Sequence, residues 1–276
     1  MNTSRITFIG GGNMAGALIT GLIADGYPAR QLTVSEPDAE KRQRLANLLG
    51  IETASDNAAA VAAADVVVLA VKPQVLKEVA TVLGQVLNGR HPLVISIAAG
   101  VREPDLERWL GGPVALVRAM PNTPAMIQSG ATVLHANEQV SAAQRELAES
   151  ILRAVGLVLW VEDEAAMDAV TALSGSGPAY FFLLMEALEE SGVSMGLPPE
   201  TARLLTLQTA LGAARMAMES NDPPAILRQR VTSPGGTTEQ ALGVLENGGL
   251  RDLIGRALDA ARQRSIALSQ QWGDDQ

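Results

Sequence analysis

The chain has 276 residues, 47% hydrophobic and 18% charged, which suits two globular domains or one domain with a helical appendage. A formal net charge of −9 argues against nucleic acid as the main partner, and zero cysteines exclude disulfides, thiol catalysis and cysteine zinc sites, which favours a cytoplasmic setting. Met1 to Arg5 lead into an apolar strand without a charged-then-apolar leader, and Asp65 breaks the alanine-rich stretch before Val66, so a soluble protein with no membrane partner is expected.

The first informative stretch runs from Ile6 to Ala17. Ile6 and Phe8 alternate in a short strand that feeds a helix through Gly10, Gly11 and Gly12, in the spacing G-x-G-x-x-A. Gly10 permits the tight turn, Gly12 lets the backbone approach a pyrophosphate, and Ala15 or Gly16 lets the helix pack closely on the strand. Any glycine-rich strand-to-helix turn can mimic the motif, so its weight comes from its position at the first strand and from the second strand of the chain. That second strand, Leu32 to Val34, ends at Ser35 and Glu36, where a side chain meets the adenosine ribose. An acidic group there binds two ribose hydroxyls, whereas a small or basic one admits a 2′-phosphate. Ser35 and Glu36 point both ways, Lys41 and Arg42 come closely after them, and NADH and NADPH both stay open.

From residue 5 to 161, short β-branched runs alternate with helical stretches, the pattern of a parallel sheet covered on both faces. Helices are expected at Met14–Asp25 and Asp38–Leu49, and Ser55 or Asp56 caps an alanine-rich helix reaching Ala64. Val66 to Val71 is the best candidate for a central strand. It ends in Lys72, which would face a cofactor crevice unless it is an ordinary solvated lysine, and in Pro73, suited to the first turn of a helix. Strand Leu93–Ile97 runs into Ala98, Ala99 and Gly100, small enough for a flat ring to approach. A helix over Pro104–Leu110 and a strand over Val114–Val117 come next. Arg118 to Pro124 is then a rigid two-proline loop, and strand Ala131–His135 returns without an intervening helix, giving an antiparallel or mixed edge. A helix over Ala142–Ala154 and a strand over Val158–Val161 complete the first domain, placed at residues 1–161.

Residues 162–276 read as helical. A long helix from Glu164 to Val193 is interrupted at Ser174 to Pro178, and Phe181 to Met185 is apolar on every side, which calls for a partner subunit as cover. Glu200 to Glu219 carries Leu204, Leu207, Leu211 and Ala214 at helical spacing, Pro223 and Pro224 open a further helix, and Gly273 to Gln276 are expected to fray. Val231 to Glu239 places hydroxyls and glycines just before a helix at Thr238–Leu245. Such a group caps a helix, but four hydroxyls around Pro234, Gly235 and Gly236 exceed what a cap requires and suit a small carboxylate.

The ordered set Ile9 to Met14, Val71 to Gln74, Ser96 to Gly100, Met120 to Pro124, Leu173 to Tyr180 and Val231 to Thr238 closely resembles the pyrroline-5-carboxylate reductase family over nearly the whole chain. The resemblance implies an α/β protein: an N-terminal Rossmann-type doubly wound sheet followed by an all-α dimerisation domain, in a homodimer that in this family often builds a decamer. It implies reduction of 1-pyrroline-5-carboxylate to L-proline, the last step of proline biosynthesis, with NADPH or NADH and no metal. By this resemblance Ile9, Gly10, Gly11, Gly12, Asn13 and Met14 would hold the cofactor, together with Asn57, then Ala70, Val71, Lys72 and Pro73, and finally Ala98, Ala99 and Gly100. Ser233 and the backbone of Gly236, Thr237 and Thr238 would hold the substrate carboxylate, the Thr238 hydroxyl would contact the ring nitrogen, and Glu164 matches a position near the substrate. One departure is Glu36, which stands where many members carry Arg or Ser.

An imine substrate has support apart from the family. The only histidines are His91 and His135, and no lysine occurs after Lys77, so the second domain lacks the usual acids for reducing a ketone. This argues against a hydroxyacid dehydrogenase of related architecture, which would normally use a lysine in its helical domain. A reductase of another cyclic imine and a non-catalytic NAD(P)-binding sensor are the competing readings.

Overall fold

The computed structural model describes residues 4–87 and 89–274. The chain forms two compact units, one reaching from the amino terminus to Ser176 and including the segment from Ala260 onward, the other spanning Gly177–Asp259.

In the first unit, β1 (Ile6–Ile9), α1 (Asn13–Ala24), β2 (Leu32–Ser35), α2 (Ala39–Leu49), β3 (Glu52–Ala54), α3 (Asn57–Val61) and β4 (Val66–Leu69) stand in that order. Then come α4 (Pro73–Leu87), β5 (Leu93–Ser96), α5 (Glu103–Trp109), β6 (Leu116–Met120), β7 (Gly130–Ala136), α6 (Ala142–Arg153) and β8 (Gly156–Trp160). The eight strands form one sheet in the order β3-β2-β1-β4-β5-β6-β7-β8. Every neighbouring pair is parallel except β6 and β7, which run antiparallel with Arg118 opposite His135.

Burial explains the strand composition. Every residue of β1, β4 and β5 is buried, because helices cover both faces of a parallel sheet. One apolar cluster joins Phe8, Leu18 and Ile19 to Val68 and Ile95, and the other joins Ile9, Val67 and Leu69 to Leu76, Leu83 and Leu106. Helix ends obey local chemistry. Asp38 caps α2 by accepting the N–H groups of Glu40 and Lys41, Asp56 caps α3 by accepting that of Ala59, and Ser141 with Gln144 forms a reciprocal capping box on α6. The Asp38 carboxyl is held below its ordinary value, chiefly by the Lys41 N–H.

The first unit continues into α7 (Ala166–Val170) and a wide π-type turn over Thr171–Gly175. The expected boundary at residue 161 marks the end of the strands, whereas the compact unit extends to Ser176. The expected interruption of the long helix falls as a π-type turn over Thr171–Gly175, which separates α7 from α8 (Gly177–Ser194), and helical structure begins at Ala166, two residues after Glu164. Edge strand β3 was not expected.

The second unit contains α8 (Gly177–Ser194), α9 (Pro199–Glu219), α10 (Pro224–Arg230), α11 (Thr237–Asn247) and the start of α12 (Leu250–Asp274). Phe181, Phe182, Leu183, Leu184 and Leu188 of α8 are exposed, as are Leu204, Leu205, Leu207 and Leu211 of α9. Contiguous apolar exposure of this extent marks an association surface. The carboxyl end of α12 belongs to the first unit, where Trp272 packs on the second apolar cluster and Arg108 donates to the Gly273 carbonyl. Gly273 is therefore helical and held, not frayed, and residues 275–276 lie outside the described residues. Among the described residues no helix is long and apolar enough to cross a membrane.

Candidate functional site

At the carboxyl ends of the first unit's strands, the chain leaves β1 and β4 on either side of the point where strand order reverses, the position at which open α/β sheets bind ligands. Gly10 has φ +99°, and a Cβ there would lie 2.9 Å from the Ala70 carbonyl oxygen, so its lack of a side chain lets the loops after β1 and β4 touch. The Gly10 N–H donates to the Ser35 carbonyl (2.8 Å), and the Ala70 N–H to that of Ile9 (2.9 Å), which fixes both loops to their strands. Gly12 differs. It has φ −72°, caps α1 without any side-chain hydrogen bond, and a Cβ on it would meet nothing within 4 Å. The space over Gly12 is open, Asn13 beside it is exposed, and the first turn of α1 carries no acidic side chain. Such an uncapped twelve-residue helix suits a pyrophosphate.

The remaining expected cofactor residues line the same end of the sheet. Met14, Val71 and Pro73 are half-buried, Lys72 is exposed, and Pro73 opens α4. Ser35 is buried and donates its hydroxyl to Asn57 Oδ1 (2.6 Å), so β2 and α3 are joined there. Glu36 is also buried; its carboxylate accepts the Gly11 N–H (3.0 Å) and the Asp38 N–H (3.2 Å). Ala98 is buried and Ala99 half-buried after β5, while Gly100 lies against Leu268 of α12, which accounts for its small size.

Glu164 lies elsewhere in this unit, in a charged cluster. Its Oε1 accepts both the Arg118 guanidinium (2.5 Å) and the Glu103 N–H (2.6 Å). Glu103 in turn faces His135 Nε2 at 3.3 Å, and its carboxyl is pushed up by burial first and by Glu164 next, with His135 opposing. Sequence reasoning does not single out Arg118 as a partner of Glu164; the signal is a cation inside an otherwise apolar strand. It also misses the bridge made by Asn122, whose amide donates to the Ser174 carbonyl (3.2 Å) and accepts the Ala131 N–H (2.8 Å). Through it the two-proline loop is bound to the π-type turn, and Met120 fills the space where a Gly175 Cβ would stand.

The second glycine loop lies wholly in the second unit. Gly235 adopts φ +72° and Gly236 caps α11 without a side-chain hydrogen bond. Thr232 is occupied, donating to the Arg228 carbonyl (2.6 Å), and Glu239 Oε2 accepts the Gly235 N–H (2.7 Å). The hydroxyls of Ser233, Thr237 and Thr238 take no partner among the described residues, and Ser233 and Thr237 are exposed. None of the expected hydroxyls therefore serves as the cap of α11. A helix start with open N–H groups and three uncommitted hydroxyls is chemically suited to a carboxylate.

A relative from Pseudomonas aeruginosa, a pyrroline-5-carboxylate reductase, is 55% identical over 99% of this chain and 100% of its own length. The chain belongs to the pyrroline-5-carboxylate reductase family. A relative from Pasteurella multocida is 46% identical, covering 96% of this chain and 98% of its own. Residues 164–268 match the family model described as pyrroline-5-carboxylate reductase dimerisation, and residues 5–100 match one described as NADP oxidoreductase, coenzyme F420-dependent. The solved pyrroline-5-carboxylate reductase from Coxiella burnetii superposes with TM-score 0.94 at 54% identity, covering 97% of this chain and 99% of that one. That from Plasmodium falciparum, solved with NADP bound, gives TM-score 0.87 at 30% identity, covering 98% and 99%. The helical segment is a homo-oligomerisation domain, consistent with its exposed apolar helices.

Proposed function

We propose that this chain reduces 1-pyrroline-5-carboxylate to L-proline with NADH or NADPH, the last step of proline biosynthesis. The observation that carries the reading is the loop at Ser233 to Thr238, with an uncapped helix start and three uncommitted hydroxyls, in a chain that matches the family along its full length. The open cradle over Gly12 and the uncapped α1 fit a dinucleotide.

A bound reduced nicotinamide supplies a hydride. Hydride adds to the imine carbon while the C=N π pair moves to nitrogen, so a protonated imine becomes a neutral secondary amine without a carbonyl-type acid. This agrees with the side chains present: His135 is buried against Glu103, and His91 precedes β5 at the end of the sheet opposite the glycine loop. Ser233 and the N–H groups of Thr237 and Thr238 hold the substrate carboxylate, the Gly236 N–H being donated to the Ser233 carbonyl (3.0 Å), and Thr238 orients the ring nitrogen through its hydroxyl and exchanges its proton with solvent. Glu164 contributes to the substrate side of the reaction. Residues 162–276 act as the dimerisation and substrate-binding segment, residues 1–161 as the dinucleotide-binding segment, and dimers assemble further, as far as a decamer, in the cytoplasm.

Steady-state oxidation of each reduced cofactor with 1-pyrroline-5-carboxylate tests this. Proline should form, Thr238→Ala should lower kcat at least tenfold, and Thr238→Ser should restore most of it, the range expected for losing one positioned proton-carrying group. Full turnover by Thr238→Ala at unchanged KM would remove Thr238 from the reaction. Turnover of a different cyclic imine alone would move the substrate assignment, and cofactor binding without any turnover would make the protein a sensor.

A further inference from the structure

The end of β2 carries two side chains with opposite implications for the adenosine ribose, and the geometry separates them. Ser35 cannot serve a 2′-phosphate: it is 1% exposed and its hydroxyl proton goes to Asn57 Oδ1 at 2.6 Å. Glu36 is 7% exposed, and both carboxylate oxygens are pinned by backbone, Oε2 by the Gly11 N–H at 3.0 Å and Oε1 by the Asp38 N–H at 3.2 Å. Each oxygen gives one lone pair to these bonds and retains another, so the carboxylate can still accept two hydroxyls. Because Oε2 is held against the glycine loop, the negative charge is fixed beside the dinucleotide cradle.

The neighbouring cations do not cancel it. Arg42 directs Nη1 to the backbone carbonyls of Glu36 (2.7 Å) and Pro37 (2.8 Å), which commits that nitrogen to the chain itself. Lys41 is exposed on the first turn of α2, and a flexible, hydrated ammonium is a weaker determinant than a buried, fixed carboxylate. A ribose with free 2′ and 3′ hydroxyls would donate to Glu36, whereas a 2′-phosphate would bring a second anion against a carboxylate unable to turn away.

We propose that Glu36 sets the specificity of the ribose subsite and that this protein takes NADH in preference to NADPH. The inference rests on reading the Gly10 to Met14 loop as the dinucleotide site. It separates this chain from what the NADP-bound Plasmodium falciparum structure alone would suggest.

The test is direct binding of each reduced nucleotide to the full-length protein without substrate, monitored by nicotinamide fluorescence. NADH should bind at least tenfold more tightly than NADPH. In Glu36→Gln, the amide oxygen can keep the Gly11 N–H while the charge and one ribose acceptor are lost; NADPH affinity should rise at least tenfold and NADH affinity should fall, so that the NADH/NADPH ratio drops. Glu36→Ser should lower the NADH/NADPH ratio further. Equal or tighter binding of NADPH by the unaltered protein would overturn the proposal, as would a ratio unmoved in a folded Glu36→Gln. The unaltered protein distinguishes these outcomes even if the variants fail to fold. Binding of neither nucleotide would overturn the dinucleotide reading itself, an outcome distinct from binding both without preference.

Discussion

Arg118 and Glu164 form an ion pair 2.5 Å long between the middle of β6 and the segment after β8, with side chains 9% and 22% exposed. The same Glu164 oxygen accepts the Glu103 N–H, so the pair also ties down the start of α5. Removing one partner of a buried pair leaves the other charge uncompensated, at about 3–5 kcal/mol. Glu164 keeps some access to solvent, so Arg118→Met should cost roughly 2–3 kcal/mol, below that range. Glu164→Leu, which strands the more deeply buried guanidinium, should cost more. The double variant should be less destabilised than the sum, with a coupling of at least about 1 kcal/mol in urea unfolding. Additive losses would show that the two side chains act separately.

Gly10 and Gly12 should respond differently to the same substitution. Gly10→Ala places a Cβ 2.9 Å from the Ala70 oxygen on a backbone at φ +99°, and should cost roughly 2–4 kcal/mol of stability. Gly12→Ala meets no protein atom within 4 Å and has an ordinary φ, so its cost should stay below about 1 kcal/mol, mostly from the poorer cap. Its dinucleotide affinity should nonetheless fall at least tenfold, because the methyl enters the open cradle. Thermal unfolding and nucleotide titration of the two variants separate the roles. A Gly12→Ala protein that binds NADH normally would place the pyrophosphate elsewhere.

These two positions show what the sequence conveys. Gly10, Gly12, Gly235 and Gly236 stand at strand ends or helix starts, where local backbone chemistry restricts the residue, and the loops they form were legible with the order of most strands and helices. The expected absence of a helix before β7 pointed to an antiparallel or mixed edge; β7 does run antiparallel to β6, with a short 3-10 helix over Thr123–Ile127 between them. Edge strand β3 was not legible, because Glu52, Thr53 and Ala54 are few and none is fully buried, which leaves no apolar alternation to detect. The long α12 was also missed; its arginines and aspartates obscure a stripe that becomes clear only where Trp272 meets the first unit's core. Side-chain partnerships were hidden for another reason. Glu36 and Gly11 are 25 positions apart and Arg118 and Glu164 are 46 apart, distances at which only the folded sheet brings them together.

The Glu103 carboxyl gives a pH dependence with a definite sign. Burial, then the negative charges of Glu164 and Glu107, raise it above its unfolded value, against the opposing effect of His135. A raised carboxyl favours the protonated form in the folded state. Its contribution to stability is thus fully present below the unfolded value of about 4.5 and is lost as pH rises through the folded one. Glu103→Gln, which cannot ionise, should gain on the unaltered protein between pH 4 and 7, seen as a urea midpoint that falls less, or rises more, over that interval. A constant difference between the two midpoints would mean that Glu103 titrates alike folded and unfolded.

Leu183 offers the sharpest test of how the helical segment associates. It is 66% exposed on α8, beside Phe182 at 63%, and both line an apolar groove with Val193 of α8 and Leu207 of α9. A side chain of this kind gains about 1.5–3 kcal/mol on full burial, and a two-fold interface counts each residue twice. Leu183→Glu places two carboxylates in such an interface and should shift the full-length chain from dimers or their multiples to monomer by sedimentation at micromolar concentration. The dinucleotide cradle lies in the other unit, so NADH binding should be retained while turnover is lost. Leu183→Met, close in volume and equally apolar, should leave the assembly intact. If Leu183→Glu sediments as the unaltered protein does, subunits associate through another face, and the exposed α8 surface needs a different cover.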